Sequence, residues 1–255
     1  MKYVRIQLND KISYGIVEEE KVIEINGNPI FENCKETGET YNLSEVKILS
    51  PNPSPPKNLC LALNYGSHLL GANAPKKPEP FYKTVTAICG PGDPIKIPKD
   101  AGLVACESEL VVIIGKEAKN VSENNALDYV FGYTCGNDVS AREWQSGNNS
   151  DMQWWRAKSC DTFGPTGPFI VTDIDPQDVS IRGLVNGVEG QKCHSSEMIF
   201  SVSESISFIS KYTTLVPGDM LWTGTSGMTP PINPGDDVTV EIEKVGTLIN
   251  PVESA

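Results

Sequence analysis

Apolar and polar residues alternate at the start of the chain and then give way to short apolar runs punctuated by glycine and proline. Residues 2–8 and 12–26 follow a two-residue period, which sends successive side chains to opposite faces and predicts short strands meeting at Asn9-Asp10. They form the start of a small β meander. Residues 32–41 are largely polar and read as a loop. The segment Leu49-Ser-Pro-Asn-Pro-Ser-Pro-Pro-Lys57 follows, and its four prolines forbid a helix and disfavour a central strand. It marks a boundary between a small N-terminal β domain over 1–56 and a larger domain over 57–255.

Residues 58–63 have the composition of a buried strand, and the proline-rich stretch 74–80 reads as an exposed loop. Further strands are predicted at 94–97, 109–114, 130–135, 168–172, 180–186, 219–223 and 237–242. Two segments read as helices. Residues 122–129 open with Ser122-Glu-Asn-Asn, which is polar N-cap chemistry. Residues 201–212 open with Ser201 and Glu204 at the spacing of a capping box, and Ile206, Phe208 and Ile209 can face a core. The expected fold class is mixed and β-dominated, a closed or rolled sheet with few short helices.

At 255 residues the chain is long enough to bury a sizeable core. A formal charge of -12 argues against nucleic acid and anionic membranes as partners. No apolar run approaches the roughly 18 residues needed to span a bilayer. The N-terminal segment lacks the apolar core of a signal peptide. Seven scattered cysteines without a Cys-x-x-Cys pair suit reduced thiols, so a cytoplasmic location is expected. With only two histidines, any bound divalent ion would be held by oxygen.

Candidate chemistry gathers around three acids. Glu107 and Glu109, at i and i+2 before the apolar run 110–114, share one face of an extended chain. Such a pair is costly at the mouth of a buried strand unless something positive lies between the two carboxylates. Asp138, in Gly136-Asn-Asp-Val-Ser-Ala-Arg-Glu143, is the third oxygen donor, and three converging carboxylates are a common way to hold Mg²⁺ or Mn²⁺. The alternative for the glutamates alone is a solvated strand end.

Other segments place reactive residue types in turn-like settings. His68, in Asn64-Tyr-Gly-Ser-His68, is either a proton-transfer group or a hydrogen-bonded structural histidine. Lys83 follows two aromatics, and its ordinary reading is a surface lysine. Arg142 and Gln145 stand one turn apart if their segment is helical, a good geometry for gripping a carboxylate. Lys158 lies among aromatics and needs a carboxylate partner, which the metal acids could supply. Thr225 ends an apolar strand in hydroxyls and glycines, as backbone close to a ligand often does. His194 reads as a solvated loop histidine. Trp144, Trp154 and Trp155 read as packing or dimer contacts around a polar insertion at 146–151.

In this order the motifs resemble the fumarylacetoacetate hydrolase family. The resemblance runs from Asn58 to Asn250, carried by Glu107-Ser-Glu109-Leu110, Asn137-Asp138-Val-Ser-Ala-Arg142-Glu-Trp-Gln145, Lys158-Ser-Cys-Asp161, Gly164-Pro-Thr-Gly-Pro168, Pro217-Gly-Asp219 with Thr223-Gly-Thr225, and Gly246-Thr-Leu-Ile-Asn250. The first 55 residues or so look like the small β domain that often precedes this family's catalytic domain. The resemblance implies a mixed β-roll in a homodimer, with Mg²⁺ or Mn²⁺ on Glu107, Glu109 and Asp138. It implies a small 2-oxo acid or 1,3-dicarbonyl acid as substrate, with Lys158, Arg142, Gln145, Thr225 and Lys83 lining the pocket.

Hydrolases of the family carry a motif resembling Asn-Tyr-x-x-His-x-x-Glu, whose histidine and glutamate sit on a closing lid and activate water. Here His68 is present, but Gly71 stands at the glutamate position. Glycine cannot orient His68 and weakens a short lid helix by about 1 kcal/mol relative to alanine. The expected activity is hydrolysis of a C–C bond in an acylpyruvate-type substrate, with His68 alone or helped by another acid such as Glu79. The alternative is a decarboxylase of oxaloacetate type or a tautomerase on the same metal site, which tolerates Gly71 better. A non-enzymatic ligand-binding protein of this fold is the third possibility, disfavoured by retention of the acids with Lys158 and Arg142.

Overall fold

The computed structural model describes residues 1–69 and 71–255. Its largest sheet runs from the N-terminal strands to the acid-bearing ones. In spatial order it contains Glu36–Asn42, Lys21–Ile25, Lys11–Glu18, Lys2–Leu8, Gly164–Val171, Val130–Asn137, Ser108–Ile114, Met220–Trp222, Asn58–Leu61 and Pro80–Tyr82. Lys47–Leu49 pairs beside Lys2–Leu8, and Ile88–Cys89 pairs beside Gly164–Val171. A second, five-stranded sheet is ordered Val188–His194, Ser180–Val185, Asp237–Ile242, Gly246–Ser254 and Ile95–Ile97. Antiparallel and parallel pairs are mixed: Met220–Trp222 runs parallel to Asn58–Leu61 and antiparallel to Ser108–Ile114.

The strand Ser108–Ile114 is buried along its whole length, which its Leu-Val-Val-Ile-Ile run permits. Leu110, Val112 and Ile114 face a core shared with Ile181, Val240, Ile242 and Leu248 of the second sheet. Val111 and Ile113 face the other way, onto Ile30, Cys60, Ile170, Met220 and Trp222. Two sheets therefore enclose one main core, which is the β-dominated mixed architecture expected. The helix Val202–Tyr212 closes its edge with Ile206 and Ile209, and Ser201 and Glu204 form the predicted capping box.

Several local expectations need correction. Residues 12–26 form two strands, because the chain turns at Glu19-Glu20 with Glu19 in a left-handed conformation. Residues 36–42 are an edge strand and not a loop, polar because nearly every side chain there is exposed. Glu123–Tyr129 is a 3-10 helix, and Ser122 makes no side-chain cap hydrogen bond to it. The N-terminal strands join the large sheet, since Lys2, Tyr3 and Val4 pair antiparallel with Val171, Ile170 and Phe169. The proline-rich segment after Leu49 carries no strand.

Candidate metal centre

Glu109 lies in the buried strand opposite Gly136, while Glu107 precedes that strand. The Asp138 amide donates to the Glu107 carbonyl at 2.9 Å, and the Glu107 amide donates to Asn137 Oδ1 at 3.0 Å. These bonds fix the three acidic backbones against one another. Their carboxylates converge, each offering an oxygen within 4.8 Å of the others, and all three residues are buried.

Cations surround the cluster. Lys158 Nζ lies 2.6 Å from Glu107 Oε2 and 2.6 Å from Asp138 Oδ2. Lys83 Nζ lies 2.7 Å from Asp138 Oδ1, and Arg142 Nη2 lies 2.6 Å from Glu107 Oε1. Lys83 also donates to the carbonyls of Phe163 and Lys158, so it is fully buried where a surface lysine is the ordinary reading. Burial opposes ionisation of Glu107, but Lys158 and Arg142 outweigh it and hold the carboxyl at about 2. Burial also works against the Lys158 ammonium, yet Asp138 and Glu107 raise its pKa above the ordinary lysine value.

Glu109 differs. Its hydrogen-bond donor is the Gly224 amide, at 2.8 Å, and no lysine or arginine pairs with it among the described residues. Burial and the charges of Asp138 and Glu107 push its carboxyl well above the carboxylate range. A divalent cation would relieve that penalty. Asp138 Oδ1 is ion-paired with the buried Lys83 ammonium at 2.7 Å. An all-carboxylate donor set with these features fits a hard divalent ion such as Mg²⁺ or Mn²⁺.

The acids open onto an inner cavity of about 30 Å³, room for about one water. His68, Gln145, Thr225, Lys158, Phe81 and Trp154 also line it. Arg142 stands behind it: Nη1 donates to Gln145 Oε1 at 2.7 Å, as the single helical turn Arg142–Gln145 allows. Thr225 Oγ donates to the Ser108 carbonyl at 3.2 Å and accepts from Gln191. A second cavity of about 560 Å³ adjoins through Ala62, Phe81 and Trp154 and is also bounded by Tyr82, Trp155, Lys83 and Glu79.

His68 closes a 3-10 turn, Gly66–His68, beside the acids. Its Nδ1 is 2.6 Å from the Gly227 carbonyl and its Nε2 is 3.9 Å from Glu107 Oε1. A carbonyl only accepts, so Nδ1 carries a proton, and in the neutral ring Nε2 then presents its lone pair. Glu79 is exposed and 3.7 Å from Lys77, and among the described residues it makes no ion pair with His68. Gly71 adopts φ +93° with open space around it, and Leu70 before it lies outside the described residues. His194 caps the turn Ser195–Glu197 with Nε2 3.5 Å from Asp178, away from the acids. Trp144 is buried, Trp154 lines both cavities and Trp155 is exposed.

Sequence reading missed Gln191 and Gly227, which tie the Thr225 loop to the acid strand and to His68. For Gln191 a faint signal exists: Gln191 and Cys193 alternate as the buried positions of an otherwise polar strand.

Comparison with known proteins agrees with this architecture. Residues 57–253 match the family described as fumarylacetoacetate (FAA) hydrolase C-terminal, and residues 1–51 match one described as Rv2993c-like, N-terminal. A mitochondrial oxaloacetate tautomerase from Xenopus laevis is 42% identical over 221 residues, covering 82% of this chain and 69% of the relative. A structure of 5-carboxymethyl-2-hydroxymuconate delta-isomerase from Mycobacterium smegmatis superposes with a TM-score of 0.92 at 39% identity, each chain fully covered. A maleylpyruvate hydrolase from Sphingobium sp. SYK-6, in complex with manganese(II) and pyruvate, superposes with a TM-score of 0.83 at 26% identity, again over both whole chains. With a buried three-carboxylate cluster at the mouth of the central strand and a match spanning most of its length, this chain belongs to the fumarylacetoacetate hydrolase family.

Proposed function

We propose that this protein is a divalent-metal-dependent enzyme that shifts a proton between carbon and oxygen of a small 2-oxo acid, as a keto–enol tautomerase. The observation that carries this reading is the setting of His68. In the neutral ring its Nε2 can accept a proton, and the one carboxylate within 4 Å of it among the described residues is Glu107, which belongs to the metal cluster. That leaves a base suited to a proton on carbon without the separate carboxylate partner that water activation uses. The similarity to an oxaloacetate tautomerase and to a delta-isomerase supports the same reading.

A divalent ion held by Glu107, Glu109 and Asp138 would supply Lewis-acid polarisation of the 2-oxo group. The protein's own residues do the rest. His68 Nε2 takes the proton from the carbon beside the ketone and delivers it to the ketone oxygen. Lys158 stays protonated and opposes the negative charge developing on that oxygen. Gln145 and Thr225 line the inner cavity and meet the bound acid, Arg142 holds Gln145 and offers its guanidinium to the substrate carboxylate, and Lys83 fixes Asp138.

C–C hydrolysis of an acylpyruvate is the second reading, favoured by the similar hydrolase that holds manganese and pyruvate. Product analysis separates the two. With Mg²⁺ or Mn²⁺, the tautomerase reading predicts faster keto–enol exchange of oxaloacetate and no acetate from acetylpyruvate. Acetate and pyruvate from acetylpyruvate would establish hydrolysis instead, and carbon dioxide above the metal-only rate would establish decarboxylation.

A further inference from the structure

Gln191 has a buried side chain that uses three polar contacts at once. Its Oε1 accepts from the Ser108 amide at 3.1 Å, and its Nε2 donates to Thr225 Oγ at 2.8 Å and to the Ser226 carbonyl at 2.7 Å. One end is thus fixed to the residue between Glu107 and Glu109, and the other to the loop after Met220–Trp222. The opposing strand is shaped for this. Gly183 pairs with Gln191, and a Cβ there would sit 2.4 Å from Ser108 Oγ and 3.1 Å from Gln191 Oε1. A larger residue would clash with Ser108 Oγ and crowd the glutamine.

The clamped loop continues directly to Gly227, which grips the His68 turn at two points. The Gly227 amide donates to Ser67 Oγ at 3.0 Å, and the Gly227 carbonyl accepts from His68 Nδ1 at 2.6 Å. Gly227 is in the left-handed region with open space where a side chain would stand. Its carbonyl follows directly on Ser226, whose own carbonyl Gln191 holds at 2.7 Å. Imidazole in water favours the form protonated at Nε2; holding it in the opposite form requires a fixed acceptor at Nδ1.

We propose that Gln191 is the positioning residue that sets His68 in its Nδ1–H form, by locking residues 225–227 between the acid-bearing strand and the His68 turn. Gln191 lines neither cavity and does not meet the substrate. The catalytic meaning rests on the reading of His68 as proton carrier; the tautomer itself does not, so the two claims fail separately.

The chain contains two histidines, so imidazole-nitrogen NMR on uniformly ¹⁵N-labelled full-length protein is simple to read. The spectra are taken at a pH where the rings are neutral, with His194 as the internal reference. Wild type is expected to show His68 protonated at Nδ1. Gln191→Glu keeps the acceptor for the Ser108 amide, and Gln191→Met keeps the volume without polar atoms. Both are expected to move His68 toward the Nε2–H form while His194 is unchanged. A wild-type His68 already protonated at Nε2 overturns the proposal, as does a folded variant of either kind that retains the Nδ1–H form.

If oxaloacetate is a substrate, the same variants are expected to lose about 10- to 100-fold in kcat with little change in KM. Equal loss in both parameters would mark Gln191 as a general support of the pocket and contradict the positioning role. Absence of turnover in wild type would sink the tautomerase reading and leave the NMR result standing.

Discussion

Lys158 and Glu107 meet at 2.6 Å with both side chains almost wholly buried, and the same ammonium reaches Asp138 at 2.6 Å. This ammonium is a shared counter-charge for both carboxylates. Removing it, as in Lys158→Met, leaves carboxylates without their main counter-charge, a loss of about 3–5 kcal/mol for a broken buried pair. Denaturant unfolding is expected to register that loss. Adding Mn²⁺ should restore more stability to the variant than to wild type, because the ion takes over part of the missing charge.

Glu109 predicts the opposite pattern. Its carboxyl is raised by burial and by Asp138 and Glu107, so its folded pKa exceeds its unfolded one. Its contribution to the metal-free fold is complete below the unfolded value and is lost as pH rises through the folded one. Glu109→Gln imitates the protonated acid and is expected to leave metal-free stability unchanged or improved. Manganese affinity, read by calorimetry, is expected to fall by at least about tenfold, as loss of a ligand exceeds loss of an outer partner. Wild-type affinity should also rise with pH, since binding the ion expels the Glu109 proton.

Gly71 tests whether a carboxylate at this position completes a hydrolytic site. Its φ of +93° is unfavourable for a side chain, so Gly71→Glu is expected to cost about 1–2 kcal/mol if the backbone stays as it is. The variant should gain no acylpyruvate hydrolysis. Acetate released from acetylpyruvate by this variant but not by wild type would show that a carboxylate there alone completes the hydrolytic site.

Glu24 makes the N-terminal strands acid-sensitive. It is buried and accepts from Lys11 at 2.7 Å, Tyr41 at 3.0 Å and Ser13 at 3.2 Å. Burial opposes its ionisation, but those hydrogen bonds prevail and lower its pKa. A depressed carboxyl stabilises the fold above its unfolded pKa and loses that contribution as pH falls through the folded value. Thermal unfolding is expected to shift downward on acidification below about pH 4, the ordinary glutamate range. Glu24→Gln should be less stable than wild type at neutral pH and flatter with pH.

The acids were legible because their evidence is local: Glu107 and Glu109 flank Ser108, and the apolar run after them announces a buried strand. The Ser201 capping box was legible for the same reason. Lys83 was legible only through the family resemblance, since its partners Asp138, Phe163 and Lys158 come from distant segments and its own neighbours suggest a surface. Residues 32–41 read as a loop because the exposed edge strand Glu36–Asn42 takes its order from backbone pairing with Lys21–Ile25 and leaves no apolar trace. Gln191 and Gly227 stayed hidden because their work is done by hydrogen bonds across strands and loops, which no spacing rule records.

The most direct test of the central claim follows ketonisation of enol-oxaloacetate by ultraviolet absorbance, with Mn²⁺, for wild type, His68→Ala and Glu109→Gln. Metal-dependent proton transfer through His68 predicts acceleration by wild type over Mn²⁺ alone. Removing the base is expected to lower that rate by about 10²- to 10⁴-fold. Glu109→Gln should approach the metal-only rate at low manganese and recover partly at high manganese. A wild-type rate no greater than Mn²⁺ alone, or an undiminished rate in His68→Ala, would contradict the account.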